Sequence, residues 1–140
     1  MKIVALDIGT VRIGIATSDI MEIISSPYEV YRRKSLKLDT EYIASLVKNL
    51  GAGQIVIGLP LKMDGSEGQS VDMAKGFGEE LAKLTDIPIA YQDERLSTVS
   101  AERVLIESGM RREKRRDKID SVAATFILQT YLDKKSNMKA

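Results

Sequence analysis

The stretch that decides the fold is the opening one, KIVALDIGTVRIGIATS, from Lys2 to Ser18. Two aliphatic-rich runs flank a short turn that contains Gly9, a pattern typical of two antiparallel strands joined by a hairpin. The first run carries a carboxylate, Asp7, where a buried strand would normally have another aliphatic side chain. Because a buried carboxylate needs a partner and a glycine permits close approach, the stretch is compatible with a cation or phosphate site. It is equally compatible with an ordinary Asp-Gly-Thr turn.

Length and composition limit the possible classes of protein. With 140 residues, 44% of them hydrophobic, and no Pro/Gly/Ser-rich linker, the chain predicts a single domain over residues 1–135 and a frayed polar tail over 136–140. The net charge of +1 gives no general attraction to a polyanion. No run of 18 or more apolar residues exists, so no membrane segment or export signal is expected and we expect a cytoplasmic protein.

The chain has no histidine and no cysteine. Catalytic triads that need histidine, histidine general bases and zinc sites built from thiolates or imidazoles are therefore excluded. An enzyme with this composition must use carboxylates, lysine or a bound hard cation.

Apolar periodicity predicts the remaining elements. Strands are expected over Ile23–Arg33, where Pro27 marks an edge or a bulge, over Gln54–Gly58 and over Ile87–Gln92. Helices are expected over Leu36–Leu50 with Gly51 as cap, over Gln69–Leu84, from Ser97 or Thr98 to about Ser108, and over Ile119–Leu132, whose apolar stripe comprises Ile119, Val122, Ala123, Phe126 and Ile127. The order predicts an α/β fold: a mixed five-stranded sheet, three antiparallel strands first and then parallel ones, with helices packed on it.

Acidic residues stand at three places where packing alone would not put them: Asp7, the pair Asp93-Glu94, and Asp120. The ends of parallel strands meet at one edge of a sheet, so these acids can converge there. Three converging carboxylates repel each other unless a cation neutralises them, and oxygen ligands suit Mg²⁺ or Mn²⁺. Two such ions would hydrolyse a phosphodiester without a histidine base.

Each acid also has a simpler explanation. Asp120 is expected in the first turn of the last helix, where Asp is favoured by the helix dipole. Strand alternation sends Asp93 and Glu94 to opposite faces, and we favour Glu94 as the ligand because its side chain is longer. Asp93 would then hold a loop amide or Arg95.

Two further segments suit a polyanionic substrate. Lys62 and Ser66 lie in a loop between a strand and a helix, where they could hold a phosphate, although an ordinary Asp-Gly turn explains the same residues. A basic segment over residues 111–118 contains Arg111, Arg112, Arg115 and Arg116. A solvated charged face is one explanation of it, and contact with a phosphate backbone is the one we favour. Two Phe and no Trp offer no platform for stacking bases.

Four blocks together resemble the YqgF (RuvX) family: DIGTVRIGIATSD from Asp7, GLPLKMDGS from Gly58, DERLST from Asp93 and KIDSVAA from Lys118. They run in family order over nearly the whole chain. The resemblance implies an RNase H-like fold related to the RuvC-type resolvases, a Mg²⁺-dependent nuclease site, and a role in processing the 5′ end of precursor 16S rRNA; a Holliday junction resolvase has also been suggested for the family. Asp7, Glu94 and Asp120 match its acidic positions, and Arg12 and Arg95 lie within the blocks as candidate substrate contacts.

Other classes of protein remain open at this point. The Asp-x-Gly-Thr opening also begins the phosphate loop of the actin, sugar-kinase and Hsp70 superfamily, although 140 residues supply only one of the two lobes those proteins need. A noncatalytic RNA-binding module is the second alternative. Every predicted helix uses its apolar stripe on the sheet, so we expect a monomer or weak homodimer that favours RNA over a DNA junction.

Overall fold

The structure, a computed structural model, describes residues 1–60, 68–93 and 112–139, and the side chains of the last of these segments only from 122 to 136. Its strands are β1 Lys2–Ile8, β2 Arg12–Ser18, β3 Ser25–Arg32, β4 Ala52–Leu59 and β5 Ile89–Asp93. The helices in these ranges are α1 Leu36–Asn49, α2 Gln69–Ala82 and α3 Arg112–Lys139. The helix expected after Ser97 or Thr98 falls outside the described residues.

The strands form one sheet in the order β3-β2-β1-β4-β5. The first three strands are antiparallel neighbours, and β4 and β5 are added parallel to β1. The predicted mixed five-stranded sheet is confirmed. Pro27 lies on the edge strand β3, opposite a register irregularity between Ile15 and Ala16, as the sequence indicated.

Strand β1 is buried on both faces, and its alternation separates two layers of core. Val4, Leu6 and Ile8 belong to the cluster that α1 and α2 cover. Ile3 and Ala5 belong to the opposite cluster, which α3 covers across β1, β2 and β3. The odd-numbered positions of β1 therefore face α3.

Local signals explain the limits of α1. The Ser35 side chain accepts a hydrogen bond from the Leu38 amide and caps the first turn. Gly51 has a φ of 68°, the left-handed conformation that ends a helix. The predicted glycine cap is confirmed.

The last helix differs from its predicted extent. It begins at Arg112 rather than Ile119 and continues to Lys139, beyond Leu132. Its buried stripe, where side chains are described, consists of Ala123, Ala124, Ile127, Leu128 and Leu132. Phe126 was predicted in that stripe and is 38% exposed, because the small Ala124 and the leucines after it are what fit against the sheet. The single domain over 1–135 and the frayed tail over 136–140 stay predictions.

Large apolar side chains are exposed in the connection between β2 and β3. Ile20, Met21, Ile23 and Ile24 are each at least 60% exposed. Hydrogen bonds close this connection, since the Asp19 carboxylate accepts from the Ile23 and Ile24 amides at 2.8 and 2.9 Å. The sequence argument that every helix uses its apolar stripe on the sheet did not consider this connection.

A buried ion pair joins the end of β3 to α1. Asp39 is fully buried and accepts hydrogen bonds from Arg33 Nε at 2.8 Å, the Lys34 amide at 2.9 Å and the Tyr31 hydroxyl at 3.0 Å. Burial alone would raise the pKa of Asp39, but these hydrogen bonds and the Arg33 charge together lower the pKa below its ordinary value. The same guanidinium lies over the Phe77 ring of α2.

We predict that Asp39→Asn lowers the free energy of unfolding at pH 7 by about 3 kcal/mol, because Arg33 stays buried without its anion. Denaturant titration measures the change. Glu80→Gln, which breaks the exposed pair of Glu80 with Lys83, is the matched control and should leave stability nearly unchanged.

The difference in unfolding free energy between the wild-type protein and Asp39→Asn should depend on pH in one direction. The pKa of Asp39 is lower in the folded chain than in the unfolded one, so its contribution is complete above the ordinary carboxyl pKa. It disappears as the pH falls through the folded-state pKa, and the advantage over Asp39→Asn should shrink below about pH 4. An advantage that grows on acidification would contradict this role.

Candidate active site

Asp7 lies at the end of β1 on the face that α3 covers, in the same row as Ile3 and Ala5. Its partner on β2 is Gly14. The parallel register pairs Leu6 with Ile57, so the next residue of β4, Gly58, lies beside Asp7 on the other side. The carboxylate therefore has a residue without a side chain beside it on both neighbouring strands.

The turn after Asp7 explains the glycine at position 9. The Gly9 amide donates to the Arg12 carbonyl at 2.8 Å, and a Cβ added at Gly9 would lie 2.7 Å from that oxygen. The close approach that Gly9 permits is thus made by the hairpin's own backbone. Arg33 holds the turn from outside: its Nη1 donates to the Gly9 carbonyl at 3.0 Å and its amide donates to the Val11 carbonyl at 2.8 Å.

Asp93 lies at the same edge of the sheet as Asp7 but on the opposite face. It pairs with Leu59, which packs in the layer under α1 and α2. Tyr91, two residues earlier, is directed to α2, where a side chain at Gly78 would collide with its hydroxyl. Glu94, the favoured ligand of the pair, lies outside the described residues.

Asp120 was predicted in the first turn of the last helix, and the backbone of α3 places it further along the helix. The helix begins at Arg112, eight residues before Asp120, so Asp120 is not in the first turn. The explanation of Asp120 as an acid that stabilises a helix N-terminus therefore does not apply. Asp120 precedes the buried Ala124 by four residues, one helical turn.

Gln92 lies on the Asp7 face and was missed by sequence reasoning. It pairs with Gly58, so Asp7, Gly58 and Gln92 form one row across three strands. Only 8% of Gln92 is exposed. A lone glutamine gives no signal in the sequence, because its place in one row with Asp7 depends on the register of β4 and β5.

The predicted substrate contacts are only partly covered by the structure. Arg12 begins β2, opposite Arg32 of β3. The backbone of Arg112, Arg115 and Arg116 belongs to the first turns of α3, and nothing of their side chains is described. Lys62, Ser66, Arg95 and Arg111 lie outside the described residues.

A cavity of about 470 Å³ lies on the other side of the turn, between α1 and α2. Thr10, Arg33, Ser35, Asp39 and Phe77 are among its lining residues. The ionic groups of Arg33 and Asp39 are paired with each other. This cavity is separate from the face on which Asp7 lies.

The residues on the Asp7 face are of the types that a hard cation prefers. A carboxylate oxygen of Asp7 could bind the cation directly, and the amide of Gln92 could bind it or form a hydrogen bond with a water on it. The described residues alone form no cluster of three acids. Two of the three predicted ligands fall where side chains are not described.

Residues 1–134 match the family described as RuvX, Holliday junction resolvase. The chain is 41% identical, over 96% of its length and 87% of the relative's, to a protein of Paramagnetospirillum magneticum named as a proposed pre-16S rRNA nuclease. Proteins with the same name are 46% identical in Mesorhizobium japonicum, over 92% of this chain and 78% of the relative, and 40% identical in Agathobacter rectalis, over the full length of both.

The fold is similar to that of solved resolvases. Thermus thermophilus RuvC in complex with a Holliday junction substrate matches with a TM-score of 0.61 at 11% identity, over 97% of this chain and 96% of that one. The fowlpox virus Holliday junction resolvase matches with a TM-score of 0.55 at 13% identity, over 96% and 99%. At these identities the likeness shows the RNase H-like fold alone.

Proposed function

The chain belongs to the RuvX family, and on that premise we propose that it is a Mg²⁺- or Mn²⁺-dependent endonuclease that processes the 5′ end of precursor 16S rRNA in the cytoplasm. The observation that carries the proposal is the position of Asp7, a carboxylate at the end of a central buried strand with glycine on both neighbouring strands. None of the helices in the described ranges has the length and apolarity needed to cross a membrane.

We assign Asp7, Glu94 and Asp120 as the acids of the site. Asp93 lies on the α1 and α2 face of the sheet, and residues adjacent in a strand belong to opposite faces, so we expect the acid on the Asp7 face to be Glu94 rather than Asp93. This favours Glu94 over Asp93 as the ligand for a reason independent of side-chain length. Helical periodicity puts position 120 on the same side of α3 as Ala124, which packs on the layer containing Ala5.

The acids would share two cations, which supply an activated water and a charge that stabilises the leaving oxygen. The chain's own contribution is to hold the three carboxylates in place. Asp7 is held by the paired strands β1 and β2 and by the closed turn that Arg33 braces. Lys62, Ser66, Arg12 and Arg95 are proposed to contact phosphates around this centre.

The basic segment is proposed to bind the phosphate backbone. Arg112, Arg115 and Arg116 lie in the first turns of α3, together with Lys114. Cations near a helix N-terminus oppose the helix dipole, so these residues do not serve to stabilise the helix end. Their positive charges would instead neutralise phosphates of an RNA backbone that passes near the site.

We predict that Asp7→Asn abolishes metal-dependent cleavage, because one carboxylate of the cation site is lost. Removing a charge that repels the other acids should also slightly raise the stability of the metal-free protein. Asp93→Asn, on the opposite face, is the matched comparison and should keep its metal dependence. Wild-type turnover by Asp7→Asn would show that the site is assigned wrongly.

The substrate class is tested by giving the purified protein a precursor rRNA leader and a four-way DNA junction at the same salt and Mn²⁺ concentrations. We expect the leader to be the better substrate and light scattering to show a monomer or weak dimer. The exposed Ile20, Met21, Ile23 and Ile24 offer a surface for self-association. A tight dimer that makes paired cuts in junctions and leaves the leader intact would establish the resolvase function instead.

The same assay distinguishes the other classes of function. Binding without cleavage by the wild-type protein in Mg²⁺ and Mn²⁺ would indicate a noncatalytic RNA-binding module. ATP binding in calorimetry, without cleavage, would indicate a nucleotide-binding lobe.

Replacing Arg111, Arg112, Arg115 and Arg116 together by Gln should weaken RNA binding and flatten its dependence on salt. Each lost phosphate contact lowers the slope of log K against log salt by roughly 0.7–0.9. Cleavage at saturating RNA should be little changed, because the acids are intact. An unchanged slope would mean that the segment is only a solvated face.

A further inference from the structure

Gln92 is a buried amide whose hydrogen bonds are incomplete. Only 8% of its surface is exposed. Its Nε2 makes one polar contact, with the carbonyl oxygen of the adjacent Asp93 at 3.5 Å. That distance is at the outer limit for a hydrogen bond. Within the described part of the chain, nothing donates to its Oε1. Buried polar groups without partners are costly, and those that persist commonly mark a ligand, an ion or a functional role.

The sheet register aims this amide at the proposed site. Gln92 pairs with Gly58, and Gly58 follows the residue that pairs with Leu6, beside Asp7. Two strand spacings put the Cα atoms of Asp7 and Gln92 roughly 10 Å apart. The residue between them has no side chain, so Gln92 and Asp7 lie in one row on the α3 side of the sheet with only Gly58 between them.

A purely structural glutamine would be expected to look different. Gln129, on α3, shows the contrast: its amide donates to the Ile23 carbonyl at 3.0 Å and its Oε1 accepts from the Ser25 amide at 2.9 Å. Gln92 has no such pair of bonds and nevertheless occupies a buried position that an aliphatic residue would fill at no cost in hydrogen bonding.

We propose that Gln92 is a positioning residue of the nuclease site, whose amide oxygen accepts a hydrogen bond from a water molecule held next to Asp7. This inference rests on the proposed function, since it needs a hydrated cation at the acids. Mg²⁺ keeps several waters when it is bound by a few carboxylates, and each of those waters needs an acceptor. Gln92 supplies that acceptor from β5.

The test replaces Gln92 by Met, which keeps the length of the side chain and removes its polar atoms. Mn²⁺ affinity, measured by electron paramagnetic resonance without substrate, should fall about 10- to 100-fold, and kcat should fall more than KM rises. The thermal midpoint should stay the same or rise by about 2–4 °C, because an unsatisfied buried amide is removed.

Gln54→Met is the matched control. Gln54 is in β4 on the same face of the sheet, four residues before Gly58, and its Nε2 contacts the Pro88 carbonyl at 3.3 Å, far from the acids. Its replacement should leave Mn²⁺ affinity and kcat unchanged.

The outcomes separate this inference from the proposed function. If the wild-type protein binds no Mn²⁺, or binds it equally well after Asp7→Asn, the proposed function itself fails. If Asp7→Asn loses Mn²⁺ and Gln92→Met retains wild-type Mn²⁺ affinity, the assignment of Gln92 is overturned alone. A lower thermal midpoint with unchanged Mn²⁺ affinity would likewise show that Gln92 is only structural.

Discussion

The burial of β1 on both faces is the constraint on which the rest of the structure depends. The strand is hydrogen-bonded to β2 on one side and β4 on the other, with helices above and below. Because successive side chains alternate between faces, a slip of one residue would move the Asp7 carboxylate into the layer under α1 and α2. The register of β1 therefore decides both the composition of the core and the side of the sheet on which Asp7 lies.

That register is fixed at the turn after β1. The bond from Gly9 to Arg12 closes the hairpin, and Arg33 ties its backbone to the end of β3. Arg33 is in turn held by Asp39 of α1. The buried ion pair thus connects a helix on one face of the sheet with the strand end that presents Asp7 on the other.

The sequence predicted most accurately where the signal is local. The bounds of β1 and β2 follow from aliphatic runs on either side of a glycine turn, and the cap at Gly51 follows from a conformation that few other residues adopt. It failed at the start of the last helix. The start of α3 at Arg112 was missed because its first turns carry charges rather than an apolar period.

The candidate site shows the same division. Asp7 is conspicuous because a carboxylate interrupts an aliphatic run, whereas Asp39, in the first turn of a helix, resembles an ordinary partner of the helix dipole. Gln92 and Gly58 become meaningful only when β4 and β5 are added beside β1, a long-range pairing that no local pattern encodes. The face of the sheet on which Asp93 lies is likewise known only from its pairing with Leu59.

The α3 face of the sheet therefore has an apolar half and a polar half. At one end Ile3, Ala5 and Val56 pack against the apolar side of α3 and contribute to stability. At the other end the same rows continue into Asp7, Gly58 and Gln92, none of which has an aliphatic side chain. Glycine within strands and an amide with incomplete hydrogen bonds both weaken a sheet. A fold selected only for stability would be expected to continue the aliphatic rows to the edge, and the polar half is where the proposed site lies.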